Sequence, residues 1–162
     1  MAAGPYPWDM AQITFDVVHT FEQPARVVWD DMIDWERHAD WIPATRMEVP
    51  EGDTTAPGAT FTAYTGYKPL VLEDRMKVVE CDWDETATSG RCEVEKLGPV
   101  LKGMAAFTIT QKDEGTELVW TEDVVVPYVP QFLAAPVRVM SAAGFKFGMK
   151  QLAKNLAKRE TA

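Results

Sequence analysis

From Pro43 to about residue 126 the chain reads as one strand after another. Six segments have strand texture, at 45–50, 58–66, 70–82, 90–97, 101–112 and 116–126. The stretches between them, "PEGDTTAPG", "GYKP", "DETATSG", "LGP" and "KDEG", are rich in turn-forming residues. Consecutive short strands with such separators predict an antiparallel meander. No internal repeat, low-complexity segment or linker interrupts the run.

What flanks the meander settles the fold class. Upstream, "QITFDVVHTFEQ" alternates, with Ile13, Phe15, Val17, His19 and Phe21 on one face, and predicts a half-buried strand. Pro24 can open a helix at its first position, and Pro43 closes the helical region that follows. Downstream, "PQFLAAPVRVMSAAGFKFGMKQLAKNLAKRE" is the longest helix candidate, with a regular helix expected across 138–155 and a start or bend at Pro136. Lys146, Lys150 and Lys154 form a solvent stripe; Val137, Ser141, Gly144, Phe145, Gly148, Leu152 and Leu156 lie opposite. Strand, short helices, six strands and a long helix predict an α+β domain with helices gathered on one face of the sheet. A single domain over residues 1–162 is expected, with residues 1–10 an irregular lead-in.

Composition narrows the function classes. The net charge is −9 and no basic patch appears, which argues against nucleic-acid binding. No apolar run reaches the length of a membrane span, so stable membrane insertion is not expected. "MAAGPYPWDMAQ" lacks the charged and apolar regions of a secretory signal. Two cysteines make no disulfide framework, and free thiols in a cytoplasmic protein are the expectation. His19 and His38 belong to no cluster with ligand spacing, so neither a metal nor a cofactor is expected. Nucleophile-elbow and phosphate-loop motifs are also missing. Oligomeric state is left open.

The segments "FEQPARVVWDDMIDWERHADWIP" and "GPVLKGMAAFTITQKDEGTELVW", with the C-terminal helix, carry a resemblance. The chain resembles the START-like, or Bet v 1-like (SRPBCC), helix-grip superfamily in its polyketide cyclase/dehydrase-like branch, over almost its whole length from about residue 11. The resemblance implies a seven-stranded sheet curled around the long C-terminal helix. It also implies two short helices after the first strand and a mostly apolar cavity between sheet and helix.

That frame gives a role to Trp29, Trp35 and Trp41, which recur every six residues with Asp30, Asp31, Asp34, Glu36 and Asp40 between them. The acids are expected to face water. Trp29 is expected in the core. Trp35 and Trp41, nearer the helix exit, either pack or meet a ligand. Phe107, Ile109, Leu118, Trp120, Met140, Gly144 and Phe147 complete the candidate cavity lining. Gly144 and Gly148 imply a geometric need, either close packing or space kept for a ligand.

No assured catalytic group is found. In "ELVWTEDVVV", Glu122 is one acid on the face of Leu118, Trp120, Val124 and Val126. Facing inward without a cationic partner, its pKa would rise; at a rim it would stay in water. His19 shares an apolar face and would lie near Trp120 if the first and last strands are neighbours. Glu122 and His19 together form the best available acid/base pair. Glu73, Arg75 and Lys77, and Arg91, Glu93 and Glu95, read as cross-strand pairs on a wet face. The parity of Arg75 and Arg91 stays open, because the Cys81/Cys92 register and the apolar pattern agree only with a bulge.

The first functional expectation is binding of a small hydrophobic or aromatic ligand, with transport or sequestration as its use. An aromatase/cyclase or dehydratase-type enzyme is the alternative, and an interaction module with a vestigial cavity is a further one.

Overall fold

The computed structural model describes residues 9–161. Strand β1 (Met10–Phe21) leads to α1 (Ala25–Met32), a 3-10 turn (Trp35–Arg37) and the one-turn helix α2 (His38–Trp41). Six strands follow: β2 (Thr45–Glu48), β3 (Thr60–Tyr67), β4 (Leu70–Asp84), β5 (Ser89–Leu97), β6 (Lys102–Gln111) and β7 (Thr116–Pro130). A second 3-10 turn (Gln131–Leu133) enters α3 (Ala134–Glu160). The sheet is antiparallel throughout, in the order β1-β7-β6-β5-β4-β3-β2, so the first strand closes onto the last. This is the α+β helix-grip fold: a curved seven-stranded sheet around one long C-terminal helix.

Helix α3 covers the expected 138–155 and starts at Ala134, two residues before Pro136. Pro136 sits in its first turn, where a missing N–H costs no helical hydrogen bond. Lys146, Lys150 and Lys154 are exposed, and Gly148, Met149, Leu152 and Leu156 are buried.

The bulge implied by the cysteine register is present on β4. Val78 pairs with Val94, Glu80 with Glu93, and Cys81 with Cys92, leaving Val79 as the extra residue. Both cysteines are free. Arg75 and Arg91 are both exposed. Arg91 pairs with Glu80 at 2.7 Å and also with Glu93, while Lys77 pairs with Glu95 at 2.5 Å.

Two apolar clusters hold the fold. The larger gathers Val28, Trp29 and Met32 of α1, Phe107, Ile109 and Leu118 of the sheet, and Met149, Leu152 and Leu156 of α3. The smaller joins Ala11, Ile13, Val124, Val126 and Ala134 at the other end. Trp29 is core, with ring centroids 5.7 Å from both Trp83 and Phe107. Its ring lies so close over β5 that a Cβ at Gly90 would come within 2.6 Å of it. Asp31, buried at the end of α1, accepts from Arg37 at 2.8 Å and from Arg159 at 2.5 Å. That shared carboxylate fastens the C-terminal end of α3 to the short helices.

The two α3 glycines serve different needs. A Cβ at Gly148 would meet the Trp41 ring at 3.1 Å, whereas one at Gly144 would meet nothing within 4 Å. Gly148 therefore allows close packing, against α2 rather than a strand, and Gly144 adjoins open space. Gly148→Leu is expected to destabilise the protein by about 1–3 kcal/mol through overpacking. Gly144→Ala should be neutral or stabilising by up to about 1 kcal/mol, because alanine is the better helix former. Urea unfolding of both variants checks this; equal losses would contradict the assignment.

Candidate functional site

Between the two apolar clusters lies a cavity of about 740 Å³. Val137, Ser141, Gly144, Phe145 and Gly148 of α3 form one side, and inward-facing side chains from all seven strands form the other. Trp35, His38 and Trp41 close it at the short helices. Alternation along the strands aims the wall residues inward. An aromatic row runs along the wall: Phe107 stacks on Trp120 at 5.8 Å, and Trp120 on Phe145 at 4.8 Å. Trp35 stacks on Phe61 at 4.2 Å, and its indole N–H donates to the Thr54 carbonyl at 2.8 Å.

Trp35, Trp41, Phe107, Trp120, Glu122 and Gly144 all line this cavity. Four other candidates do not. Ile109 and Leu118 are register partners sealed in the larger cluster. Met140 is 75% exposed and Phe147 49% exposed, on the outer flank of α3. The Phe147 ring instead borders a second hollow of about 730 Å³, shared with Tyr64, Tyr67, Val71 and Gln151. Trp41, Ile42 and Pro43 line both hollows and stand between them. The buried Trp41 indole N–H has no hydrogen-bond partner among the described residues.

His19 also lies outside the cavity. It pairs with Leu118 and packs its ring against Phe21 at 4.8 Å, while Glu122 pairs with Phe15. The expected Glu122–His19 pair therefore does not form. Burial, then the nearby Lys150, lowers the His19 pKa.

Glu122 is buried rather than at a wet rim, and it does have a cationic neighbour. The Lys96 ammonium lies 3.8 Å from Glu122 Oε1, donates to Asp74 Oδ2 at 2.5 Å and approaches Met76 Sδ at 3.8 Å. The Trp120 indole donates to Glu122 Oε1 at 3.1 Å. On β6, between the strands that carry Lys96 and Glu122, stand Gly103, the register partner of Lys96, and Ala105, the register partner of Glu122. Asp74, Lys96 and Glu122 all line the cavity.

Burial pushes the Glu122 carboxyl above its ordinary value, against the attraction of Lys96 and the Trp120 hydrogen bond; Asp74 adds to the rise. Burial would lower the Lys96 pKa, but attraction to Glu122 and Asp74 outweighs it and keeps the ammonium charged. The arrangement thus presents an ammonium held by Asp74 and, 3.8 Å from it, a second buried acid whose pKa is raised. Such a set can hold a polar substituent or exchange a proton with it.

Asp74 and Lys96 are absent from the candidates drawn from the sequence, although each repeats the signal of Glu122. Asp74 sits among Leu72, Met76 and Val78, and Lys96 follows Cys92 and Val94. Charges on both faces of β4 and the bulge beyond Val78 mask that signal. On the same strand pair, the pKa of the Cys92 thiol is raised by its hydrogen bond with Cys81 and by burial, so it is a poor nucleophile. Among the described residues, no group of three or more His, Cys, Asp or Glu side chains could hold a metal ion. Among them, too, no helix is long and apolar enough to cross a membrane.

A family model described as "Polyketide cyclase / dehydrase and lipid transport" matches residues 12–159. No curated protein matches the chain in sequence. Solved structures share the fold at low identity. Protein Ms6760 from Mycobacterium smegmatis is 19% identical with a TM-score of 0.62, over 91% of this chain and 92% of that one. Ara h 8.0201 is 17% identical with a TM-score of 0.55, over 88% and 99%. A norcoclaurine synthase from Thalictrum, a point mutant in complex with a transition-state analogue, is 10% identical with a TM-score of 0.65, over 94% and 98%.

The cavity wall makes the protein acid-sensitive. His38 Nε2 lies 2.8 Å from the Met32 carbonyl, so that nitrogen carries the hydrogen and donates it. Burial lowers the His38 pKa from 6.5 to about 4, against the Met32 bond and the charges of Asp31 and Asp34. The folded pKa lies below the unfolded one. The unfolded chain therefore takes up a proton that the folded chain refuses. Stability is complete above pH 6.5 and is lost as pH falls toward 4. The loss should be roughly 3 kcal/mol. His38→Gln should remove that part of the pH slope in denaturant titrations at pH 7.5 and 4; parallel curves for the two proteins would refute it.

Proposed function

The chain belongs to the polyketide cyclase/dehydrase and lipid-transport family, and from that membership we propose that it binds a small hydrophobic or aromatic molecule in the cavity between sheet and α3. The observation that carries the proposal is the cavity: about 740 Å³, walled by Phe61, Phe107, Trp120 and Phe145, with Gly144 facing open space. That volume suits one small organic ligand. Burial of its apolar surface supplies the drive, about 25 cal/mol per Å² removed from water. The open volume argues against a vestigial, filled cavity. Transport or sequestration is the use that needs nothing beyond this binding.

A second reading, catalysis of cyclisation or dehydration on a poly-ketone chain, is favoured by one observation only. That is the acid–lysine–acid set on the wall, which provides a proton donor and acceptor within one cavity. A cytoplasmic, reducing setting is part of the proposal, since Cys81 and Cys92 face each other as free thiols.

N-phenyl-1-naphthylamine, which fluoresces when removed from water, tests the binding. The protein should take it up with a saturable rise in fluorescence. Gly144→Leu, which projects a side chain into the cavity, should weaken uptake at least fivefold while the far-UV spectrum is kept. Met140→Ala, on the outer flank, should leave it unchanged. Absence of saturable uptake, or equal uptake by the parent and Gly144→Leu, would overturn the proposal.

A further inference from the structure

We propose that Asp74, Lys96 and Glu122 form a built subsite for a hydroxyl group, so that the ligand is a hydroxylated aromatic or apolar molecule of the phenol type. This deepens the binding proposal and rests on it.

The geometry leaves the set half satisfied. Lys96 has three N–H donors and makes one close hydrogen bond, to Asp74 Oδ2. Its approach to Met76 sulfur is long and weak, and its 3.8 Å separation from Glu122 Oε1 exceeds hydrogen-bond reach. Asp74 Oδ1 has no hydrogen-bond partner among the described residues, although Asp74 is only 8% exposed. A buried carboxylate oxygen without a donor is costly, and a separation above 3.5 Å between charged groups leaves place beside them for one oxygen that hydrogen-bonds to both.

The unmet groups are of both kinds: ammonium donors and carboxylate acceptors. A ketone would accept from Lys96 and leave the carboxylates unpaired. An ammonium would satisfy the carboxylates and be repelled by Lys96. A carboxylate ligand would face two acids. One hydroxyl both accepts from Lys96 and donates to a carboxylate. A phenol does so best, because its O–H is the stronger donor and its ring continues onto the row of Trp120 and Phe145.

Two competitors differing only in this group test the inference: 2-naphthol and 2-methylnaphthalene, each displacing N-phenyl-1-naphthylamine. In a purely apolar cavity the methyl compound binds tighter, because it is the more hydrophobic. The subsite predicts the reverse, with 2-naphthol about tenfold tighter. Glu122→Gln and Asp74→Asn should each shrink that preference. A double variant, Asp74→Leu with Lys96→Met, replaces the ion pair by apolar groups, a change that folds tolerate. It should still bind 2-methylnaphthalene and should reverse the preference. Equal affinities in the parent protein, or tighter 2-methylnaphthalene, would mean that ordered water fills the gap, and would overturn the inference while leaving cavity binding intact. A preference for 2-naphthol that survives in the double variant would overturn it as well. Failure of the fluorescent probe itself to bind would remove both.

Discussion

Helix α3 meets the core through only part of its length. Gly148, Met149, Leu152 and Leu156 are buried, whereas further toward its N-terminus only Ala134 is buried as fully. Two attachments set this posture. At the C-terminal end, Asp31 accepts from Arg159 and Arg37, and Gln23 donates to Glu160 at 3.1 Å. Near Gly148, the Trp41 ring packs so closely that a Cβ there would meet it at 3.1 Å. Toward its N-terminus α3 is held again, where Ala134 joins the smaller cluster, and between the two anchored ends it faces a wall that carries Asp74, Lys96 and Glu122 beside the aromatic row. The cavity is thus the space left between the two places where helix and sheet pack together.

The wall exacts a thermodynamic cost. Two acids and a lysine lose hydration, and their mutual attraction offsets only part of it, as the raised pKa of Glu122 indicates. A well-packed apolar trio would fold at least as well. What the charged set adds is direction: it fixes where in the cavity a polar substituent can sit, while the aromatic row accepts a flat ring in several positions.

The sheet and the long helix are legible in the sequence because both rest on local pattern. Turn residues punctuate the meander, and lysines every fourth residue mark the wet side of α3. The bulge on β4 is legible too, since the Cys81/Cys92 register conflicts with the apolar alternation unless a residue is extra. Cavity residues are harder. Glu122 stands out as one acid on an apolar face, but its lysine partner depends on register across β6. Met140 and Phe147 mislead for a geometric reason: each precedes an inward residue, Ser141 or Gly148, and so points about 100° away from it. Ile109 and Leu118 mislead because inward on a sheet can mean toward the core as well as toward the cavity.

The separation of the apolar side chains into two clusters has an evolutionary consequence. Each cluster packs largely without help from the space between, so side chains such as Ser141 and Thr65, which face that space only partly buried, carry little of the folding load. Substitutions there alter the shape offered to a small molecule and leave the scaffold standing. Descendants of such a chain can therefore drift from one ligand to another through single changes, each of them viable on its own.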